Sequence, residues 1–338
     1  MARNGSCPPE ETRMRRFARV LGFVAGVLSL AAAAQPDYPS RPVKFVIPYG
    51  PGGATDLIAR YMAPKLQEIL GQPFIVENKP GASGNIALEL VAKAPADGYT
   101  LMVGNVSTNT INESAFAGTL QIKPSRDLVG ITRLIEIPHV VVANGAFAPN
   151  SVTEMVQWAK RNPGKLNYAS ASIGSYPHLD MVKLVRASGI DATHIPYKGG
   201  AGQMVPALLS GEVEVAFINL SSTIEHIKSG RLKALASTTA ARNPDLPNVA
   251  TLGEQGYAGI GTNAWQGAFA PAGTPKAVMD KLYAAMAAVL SKPEVKEQLA
   301  KQLMTVSLSA SPQEFNDQVR AETQGWGEFI RDNKIKVE

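Results

Sequence analysis

Short apolar runs alternate with helix-like segments along this chain, and this alternation restricts the fold more than any other feature. Val43–Ile47 is a strand-like run, and residues 55–71 repeat apolar side chains every three or four positions, as an amphipathic helix does. The pattern continues with a strand at Phe74–Val76, a helix at Gly84–Ala92 and a strand at Thr100–Val103. A βαβαβ order of this kind predicts a parallel sheet with right-handed crossovers.

A second series of strands and helices begins at Ser151, after one long strand-like run, Ile131–Val142. Two such series predict an α/β fold class with two parallel-sheet-based lobes joined by two chain crossings. We assign residues 36–138 plus 239–338 to lobe 1 and residues 139–238 to lobe 2.

The last third of the chain is richer in helix signals than in strand signals. Ser151, Ser291 and Ser311 each stand three residues before a glutamate, which is the capping-box spacing of a helix start. The last predicted helix carries an apolar stripe between Phe315 and Ile330. A helix with one apolar stripe packs on a sheet, so we assign it to lobe 1.

The first 34 residues have the order of an export signal. Arginines precede an apolar run, Phe17–Leu30, which at about 14 residues is short for a membrane span. Ala32–Ala34 supplies the small residues that signal peptidase requires, so we place the cut after Ala34, with Met1 or Met14 as the start. We expect a cleaved signal peptide and a periplasmic product; the alternative is an uncleaved N-terminal anchor.

Charge and cysteine content exclude several function classes. The formal net charge is +5, and the predicted signal peptide carries +3 of it, as five arginines against two glutamates. The remaining lysines and arginines are scattered, which argues against a nucleic-acid partner. Cys7 is the single cysteine and precedes the apolar run, so the mature chain has no thiol for a disulfide, a metal or a nucleophile. We expect no cofactor, no metal and a monomer.

Glycine, serine and threonine are concentrated where predicted strands run into helices. The junctions are residues 49–56, 104–112, 169–175, 196–200 and 219–222. In open parallel sheets ligands bind at the carboxyl ends of the strands. A helix N-terminus there offers free N–H groups and about half a positive charge to a carboxylate or phosphate. We therefore predict an anion site with the loop Gly50–Thr55 at its centre, the alternative being a plain tight turn.

Two other chemistries fit parts of the sequence. Gly50–Gly52 imitates the start of a dinucleotide fingerprint, but Thr55 stands at the third glycine position and Asp56 would repel a pyrophosphate. Asp56 is either an acid favoured by the helix dipole or a group that orients the loop. Ser175 and His178 lie within one helical turn, which leaves an exported hydrolase of small esters as the alternative function.

Eight motifs follow one another along the mature chain: Tyr38–Val43, Ile47–Asp56, Val76–Asn85, Ala96–Leu101, Asn162–Tyr168, His194–Gly199, His226–Gly230 and Phe269–Pro275. In content, order and spacing they resemble the substrate-binding proteins of tripartite tricarboxylate transporters, the family named for Bordetella uptake genes. The resemblance implies a type II periplasmic binding protein, not an enzyme, that closes on a small organic carboxylate and delivers it to membrane permease subunits.

The junction loops and the resemblance together predict the ligand-binding residues. These are Tyr49, Gly52, Gly53, Ala54, Thr55, Asp56, Thr108, Gly174, Ser175, His178 and Asn219. The chain departs from the family pattern at two places: Ile218 stands where an aspartate is frequent, and Tyr176–Pro177 stand where small hydroxyl residues are common. Our hypothesis from these departures is a ligand with an apolar or aromatic end rather than an amino acid.

Overall fold

The computed structural model describes residues 1–2, 38–197, 200–262 and 264–335. Most of the predicted signal peptide, residues 3–34, and its cleavage site lie outside the described residues. The chain divides into two compact units, Met1–Ser40 and Arg41–Glu338. In the first unit the peptide bond between Tyr38 and Pro39 is cis. All strands and helices given below belong to the second unit.

The strands of the described residues form two sheets. They are β1 (Val43–Ile47), β2 (Phe74–Asn78), β3 (Thr100–Asn105), β4 (Leu128–Ile137), β5 (His139–Asn144), β6 (Leu166–Ser170), β7 (Ala192–Pro196), β8 (Val215–Asn219), β9 (Leu232–Ser237), β10 (Ala264–Pro271) and β11 (Thr305–Val306). The first sheet has the order β11-β4-β10-β3-β1-β2 and the second β7-β6-β8-β5-β9.

The helices cover the faces of these sheets. They are α1 (Ala54–Leu70), α2 (Asn85–Ala92), α3 (Asn112–Ala115), α4 (Pro124–Asp127), α5 (Val152–Arg161), α6 (Tyr176–Ser188), α7 (Ala201–Ser210), α8 (Ile224–Lys228), α9 (Lys276–Leu290), α10 (Pro293–Ala300) and α11 (Pro312–Asp332). Ser107–Ile111 forms a π-helical turn after β3. In the described part of the chain, each helix is too short or too polar to span a bilayer.

Both sheets are mixed, which confirms the predicted α/β two-lobed fold and corrects its description as purely parallel. Strands β1, β2 and β3 pair in parallel, as do β6, β7 and β8. Strands β10, β4 and β11, like β5 and β9, pair antiparallel. Two neighbouring parallel strands need a helical crossover between them. A strand that enters a sheet from the other lobe needs no such crossover, so it is free to run antiparallel to its neighbours.

The first crossing between the lobes lies inside the run predicted as one strand, Ile131–Val142. The structure has two strands there, β4 and β5, which belong to different sheets and meet at Pro138. Proline has no N–H for a strand ladder, so the pairing stops at this residue. The carbonyl of Pro138 instead accepts a hydrogen bond from the N–H of Leu220 at 2.9 Å.

Helix α11 packs on the first sheet through its apolar stripe. The ring of Phe315 is fully buried, with its centroid 5.3 Å from that of Trp265 and 5.2 Å from that of Phe269. It lies directly on two glycines of the sheet, because a Cβ added at Gly130 would be 2.6 Å from the ring and one at Gly267 closer still. These positions therefore require glycine for close helix–sheet contact.

Helix α6 belongs to the second lobe. It also contacts the second crossing, the segment that joins β9 to β10. The buried carboxylate of Asp180 accepts hydrogen bonds from the N–H of Thr262 at 2.8 Å and from its Oγ1 at 2.9 Å. Burial raises the pKa of Asp180 to about 6, against the opposing effect of Lys183. The Nζ of Lys183 lies 4.3 Å from the ring centroid of Trp326 on α11. The lobes are thus connected on this side by side-chain contacts as well as by the chain.

Two of the three predicted capping boxes form. The hydroxyls of Ser151 and Ser311 each accept a hydrogen bond from the N–H three residues later, at 3.1 Å. Ser291 does not cap the start of a helix, because it is the C-cap that follows α9 and has helical backbone angles. Helix α10 begins one residue later than predicted, with Lys292 at its N-cap.

These caps make a matched stability prediction. Ser311→Ala removes an N-cap acceptor at the start of α11 and is expected to lower the free energy of unfolding by about 1 kcal/mol. Ser291→Ala removes an exposed hydroxyl without a capping role and is expected to change the free energy of unfolding by less than about 0.5 kcal/mol. Urea unfolding of the mature variants measures both values, and equal effects would contradict this assignment of the caps.

Candidate functional site

A cavity lies between the two lobes, at the ends of strands β1, β3 and β8. Its described lining residues are Tyr49, Gly50, Gly53, Ala54, Thr55, Asp56, Asn105, Ser107, Ala171, Tyr176, Gly200, Ala201, Asn219 and Gln266. The cavity volume is about 50 Å³. The carboxyl ends of parallel strands meet here, which is the position where open α/β sheets bind ligands.

The N-terminus of helix α1 forms one wall of the cavity. Gly53 is its N-cap, with an extended backbone at φ −82° and ψ 164° and no side chain to cap the helix. Among the described residues, no acceptor takes the N–H groups of Ala54 and Thr55, as the geometry of a helix start leaves them unpaired. The N–H of Gly52 is occupied, because it donates to Asp56 Oδ2 at 3.0 Å.

Asp56 orients this loop, the second of the two roles considered for it. Its carboxylate is 2% exposed and accepts hydrogen bonds from Gly52, from Arg60 Nε at 2.9 Å and from Asn78 Nδ2 at 3.0 Å. Burial alone would raise the pKa of Asp56, but the hydrogen bonds from Arg60, Gly52 and Asn78 together lower it. The carboxylate is therefore ionised and fully paired, so its charge is compensated next to the open N–H groups.

The turn after β3 supplies a second wall. The Asn105 side-chain oxygen accepts hydrogen bonds from the N–H of Ser107 at 3.0 Å and from the hydroxyl of Tyr49 at 3.2 Å. Burial raises the pKa of Tyr49 to about 12, so its hydroxyl keeps its proton. Thr108, a predicted ligand residue, does not line the cavity: it is fully buried, and its hydroxyl donates to Asn109 Oδ1 at 2.7 Å.

Gln266 reaches the cavity from the far end of the chain. It lies on the central antiparallel strand β10, and its Oε1 accepts a hydrogen bond from Thr55 Oγ1 at 2.5 Å. The two residues are 211 positions apart, and no spacing rule connects them. Sequence reasoning missed Gln266 for this reason.

The second lobe contributes the N-terminus of helix α7. Gly200 is its N-cap and has a positive φ of 62°, and Ala201 begins the helix. Both residues line the cavity. The predicted junction 196–200 pointed to this place, but neither residue was among the predicted ligand-binding residues. Two helix N-termini, one from each lobe, therefore reach the same cavity.

Gly174, Ser175 and His178 do not line the cavity. The Ser175 hydroxyl donates to the carbonyl of Ser172 at 2.7 Å, and His178 Nδ1 accepts from the N–H of Gly174 at 3.1 Å. Burial, and secondarily the neighbouring His194, lowers the pKa of His178 to about 3. Serine and histidine are thus each tied to the backbone and not to each other. The alternative of a hydrolase built on this pair is wrong, since a nucleophile needs its base within hydrogen-bond reach.

Asn219, a predicted ligand residue, is held by a buried pair of rings. His139 is fully buried, and its Nε2 forms a short hydrogen bond with Asn219 Oδ1 and another with the hydroxyl of Tyr176 at 2.6 Å. The rings of His139 and Tyr176 are stacked, with centroids 4.5 Å apart. The backbone N–H of Tyr176 also donates to Ser107 Oγ at 3.0 Å, which is a direct contact between the lobes.

The described residues contain no group of three or more histidine, cysteine, aspartate or glutamate side chains placed to hold a metal ion. Asp56 is the one carboxylate in the described lining of the cavity, and its oxygens are already paired. The open hydrogen-bonding capacity of the site therefore consists of backbone N–H groups and neutral side chains.

The role of Asp56 predicts how stability depends on pH. A carboxylate whose pKa is lower in the folded than in the unfolded chain stabilises the fold above about pH 4 and loses that effect as the pH falls through the folded value. Asp56→Asn is expected to be less stable than the wild type by about 1–3 kcal/mol at pH 7. Below about pH 4 its Tm should fall less steeply with falling pH than that of the wild type. Thermal melts between pH 7 and pH 2.5 measure both.

The matched control for this variant is Asp280→Asn, which changes an exposed acid of α9 that pairs with Lys276. Its acid melting profile should follow that of the wild type. Parallel profiles for Asp56→Asn and the wild type would show that the buried carboxylate does not orient the loop.

The comparisons with known proteins agree with this geometry. Residues 58–335 match the model of the tripartite tricarboxylate transporter family receptor. Protein BugT of Bordetella pertussis is 33% identical over 325 residues, which cover 96% of this chain and 99% of the relative.

Three solved structures share the fold at similar identity. The periplasmic binding protein BugD has a TM-score of 0.82 at 33% identity, with 88% of this chain and 99% of that chain covered. Rpa4515 of R. palustris, solved with adipate, has a TM-score of 0.83 at 32% identity, with 87% of this chain and 98% of that chain covered. MatC from Rhodopseudomonas palustris, solved with bound malate, has a TM-score of 0.81 at 31% identity, with 87% of this chain and 100% of that chain covered.

The family consists of binding proteins and not of enzymes, in agreement with the absence of a Ser175–His178 hydrogen bond. The order of the sequence motifs, the two-lobed fold and the family match all lead to one assignment: this chain is a member of the tripartite tricarboxylate transporter receptor family.

Proposed function

We propose that this protein captures a small dicarboxylate in the cavity between its lobes and delivers it to the permease subunits of a tripartite tricarboxylate transporter. Relatives of similar fold were solved with adipate and with malate, which are both dicarboxylates. The receptor family itself is shown by the match over residues 58–335. The particular ligand and the permease contact are the proposed parts.

The observation that supports this most directly is the pair of helix N-termini, α1 from lobe 1 and α7 from lobe 2, at one cavity. Each offers unpaired N–H groups and about half a positive charge, which suits one carboxylate group without a lysine or arginine. Two such ends from opposite lobes suit a ligand with two carboxylates.

Closing and opening of the lobes is the proposed mechanism of capture. We place the lobe boundaries at residues 36–138 plus 239–338 and at residues 139–238. A ligand that contacts both lobes favours the closed arrangement by its difference in affinity for the two states. A Cβ added at Gly202 in α7 would lie 3.3 Å from the carbonyl of Pro51, so the lobes meet closely beside the cavity.

Export and assembly complete the proposal. We propose that the signal peptide is removed after Ala34, that the mature protein acts in the periplasm, and that it is a monomer. BugD, which shares the fold, is a periplasmic binding protein. A receptor that carries its ligand between solution and a permease needs no second copy for a site that both lobes of one chain complete.

The hypothesis of an apolar or aromatic ligand end gives way to a dicarboxylate. Ile218, one of the two residues behind it, is buried with the second sheet and does not line the cavity. One face of the Tyr176 ring is already stacked on His139. We retain the expectation against an amino acid, because the one lining carboxylate, Asp56, is fully paired and has no acceptor left for an ammonium group.

Gly53→Asp is expected to weaken dicarboxylate binding by at least about 100-fold while the protein stays folded, since a carboxylate at the N-cap takes the open N–H groups and repels the ligand. No atom lies within 4 Å of a Cβ added at Gly53, so the side chain fits. Titration calorimetry with succinate, malate and adipate measures the loss.

Two control variants at the same position separate the causes. Gly53→Ala leaves the N–H groups open, so its dicarboxylate affinity should be within about tenfold of the wild type. Gly53→Asn caps the helix without a charge, so its affinity should lie between those of Gly53→Ala and Gly53→Asp. Wild-type affinity in Gly53→Asp would show that the ligand does not bind at the start of α1.

A further inference from the structure

Tyr176 is the largest side chain that the second lobe contributes to the described lining of the cavity. It is the first residue of α6, its side chain is nearly buried, and it lines the cavity together with Asn219. Its ring also packs among the apolar residues of the first-lobe core, which include Val46 and Trp265. The ring therefore fills volume between the ligand cavity and the core.

The position of this ring is fixed from several sides. Its hydroxyl is bonded to His139 Nε2 at 2.6 Å and to Asn219 Oδ1 at 3.3 Å. Its face is stacked on the His139 ring with an interplanar angle of 18°. Its backbone N–H donates to Ser107 Oγ at 3.0 Å. A ligand cannot displace the ring without breaking these contacts.

His139 is buried on a central strand, and this makes it an effective support. It lies on β5 directly after the crossing at Pro138, and the strand register pairs it with Asn219 on β8. The residue is fully buried. Burial lowers the pKa of His139 to about 4, so the ring is neutral near pH 7 and its hydrogen bonds do not change around that pH.

The remaining space is small. The cavity volume in this arrangement of the lobes is about 50 Å³. Adipate has two more methylene groups than succinate, and one methylene in a hydrophobic pocket changes discrimination between two ligands by about 10- to 200-fold. A fixed ring at the wall therefore discriminates among ligands by length.

We propose that Tyr176 is the specificity-determining residue of this site and that, positioned by His139, it limits the ligand to short dicarboxylates. The proposal rests on the proposed function, because it concerns the same cavity. Tyr176 contributes the steric limit, and His139 is a positioning residue that acts through it.

The test is a titration-calorimetry series of unbranched dicarboxylates from malonate to pimelate on the mature protein. The wild type should bind succinate or glutarate most tightly and adipate at least about tenfold more weakly. Tyr176→Ser should move the optimum toward adipate or longer and reverse this ratio. Tyr176→Phe keeps the ring and its stacking on His139 and should keep the ratio, whereas His139→Ala removes the stacked ring that supports it and should reduce the ratio several-fold.

The matched control is Tyr61→Ser. Tyr61 lies on α1 outside the described cavity lining, and its hydroxyl donates to Gln298 Oε1 on α10 at 2.6 Å. Its affinity ratio should equal that of the wild type. Loss of a buried ring leaves a cavity that destabilises a protein. Tyr176→Leu, which retains apolar packing, therefore replaces Tyr176→Ser if that variant fails to fold.

Three results would overturn the inference. A wild type that binds adipate or pimelate most tightly contradicts the length limit, and an unchanged ratio in Tyr176→Ser and Tyr176→Leu contradicts the role of the ring. In both cases dicarboxylate binding itself is retained, so the proposed function stands. Absence of binding to every member of the series would remove the proposed function together with this inference.

Discussion

Unpaired N–H groups at the start of helix α1 are the interaction on which the site depends. They stay open because Gly53 has no side chain to cap them and because Asp56 occupies only the N–H of Gly52. An ionised aspartate beside an anion site would ordinarily repel the ligand. Here Arg60 and Asn78 pair the carboxylate, so it orders the loop while its charge is compensated. A helix end of this kind suits an anion without a cationic side chain, which is the basis of the proposed ligand site.

The two lobes are connected by more than their two chain crossings. The N–H of Tyr176 donates to Ser107 beside the cavity, and Asp180, one turn later on the same helix, holds Thr262 of the second crossing. Lys183 continues this line of contacts onto the ring of Trp326. One face of α6 therefore carries the ligand wall, the crossing and the contact with α11. A movement of the lobes must shift this helix as a unit, since its contacts follow one another at helical spacing.

Relatives of similar fold bind dicarboxylates of different length and polarity, although they share about one third of their residues with this chain. Such variation is expected when the carboxylate groups are held by backbone N–H groups, because these do not depend on side-chain identity. Selectivity then comes from the side chains between the helix ends. Among the described lining residues Asp56 is the one acid and its charge is paired, while the ring of Tyr176 is held by a buried histidine that stays neutral near pH 7.

The sequence by itself determined the βα alternation, the two lobe-forming series and the family, because all of these depend on local periodicity and on contiguous motifs. It did not determine which junction residues face the ligand. Thr108 and Ser175 have the right residue types, yet their hydroxyls bond to neighbouring groups, a competition that spacing does not reveal. Gln266 and the His139–Tyr176 pair enter the site only because antiparallel strands return from distant parts of the chain. Tertiary structure decided these positions, since strand register and helix packing fix which side chains share a cavity.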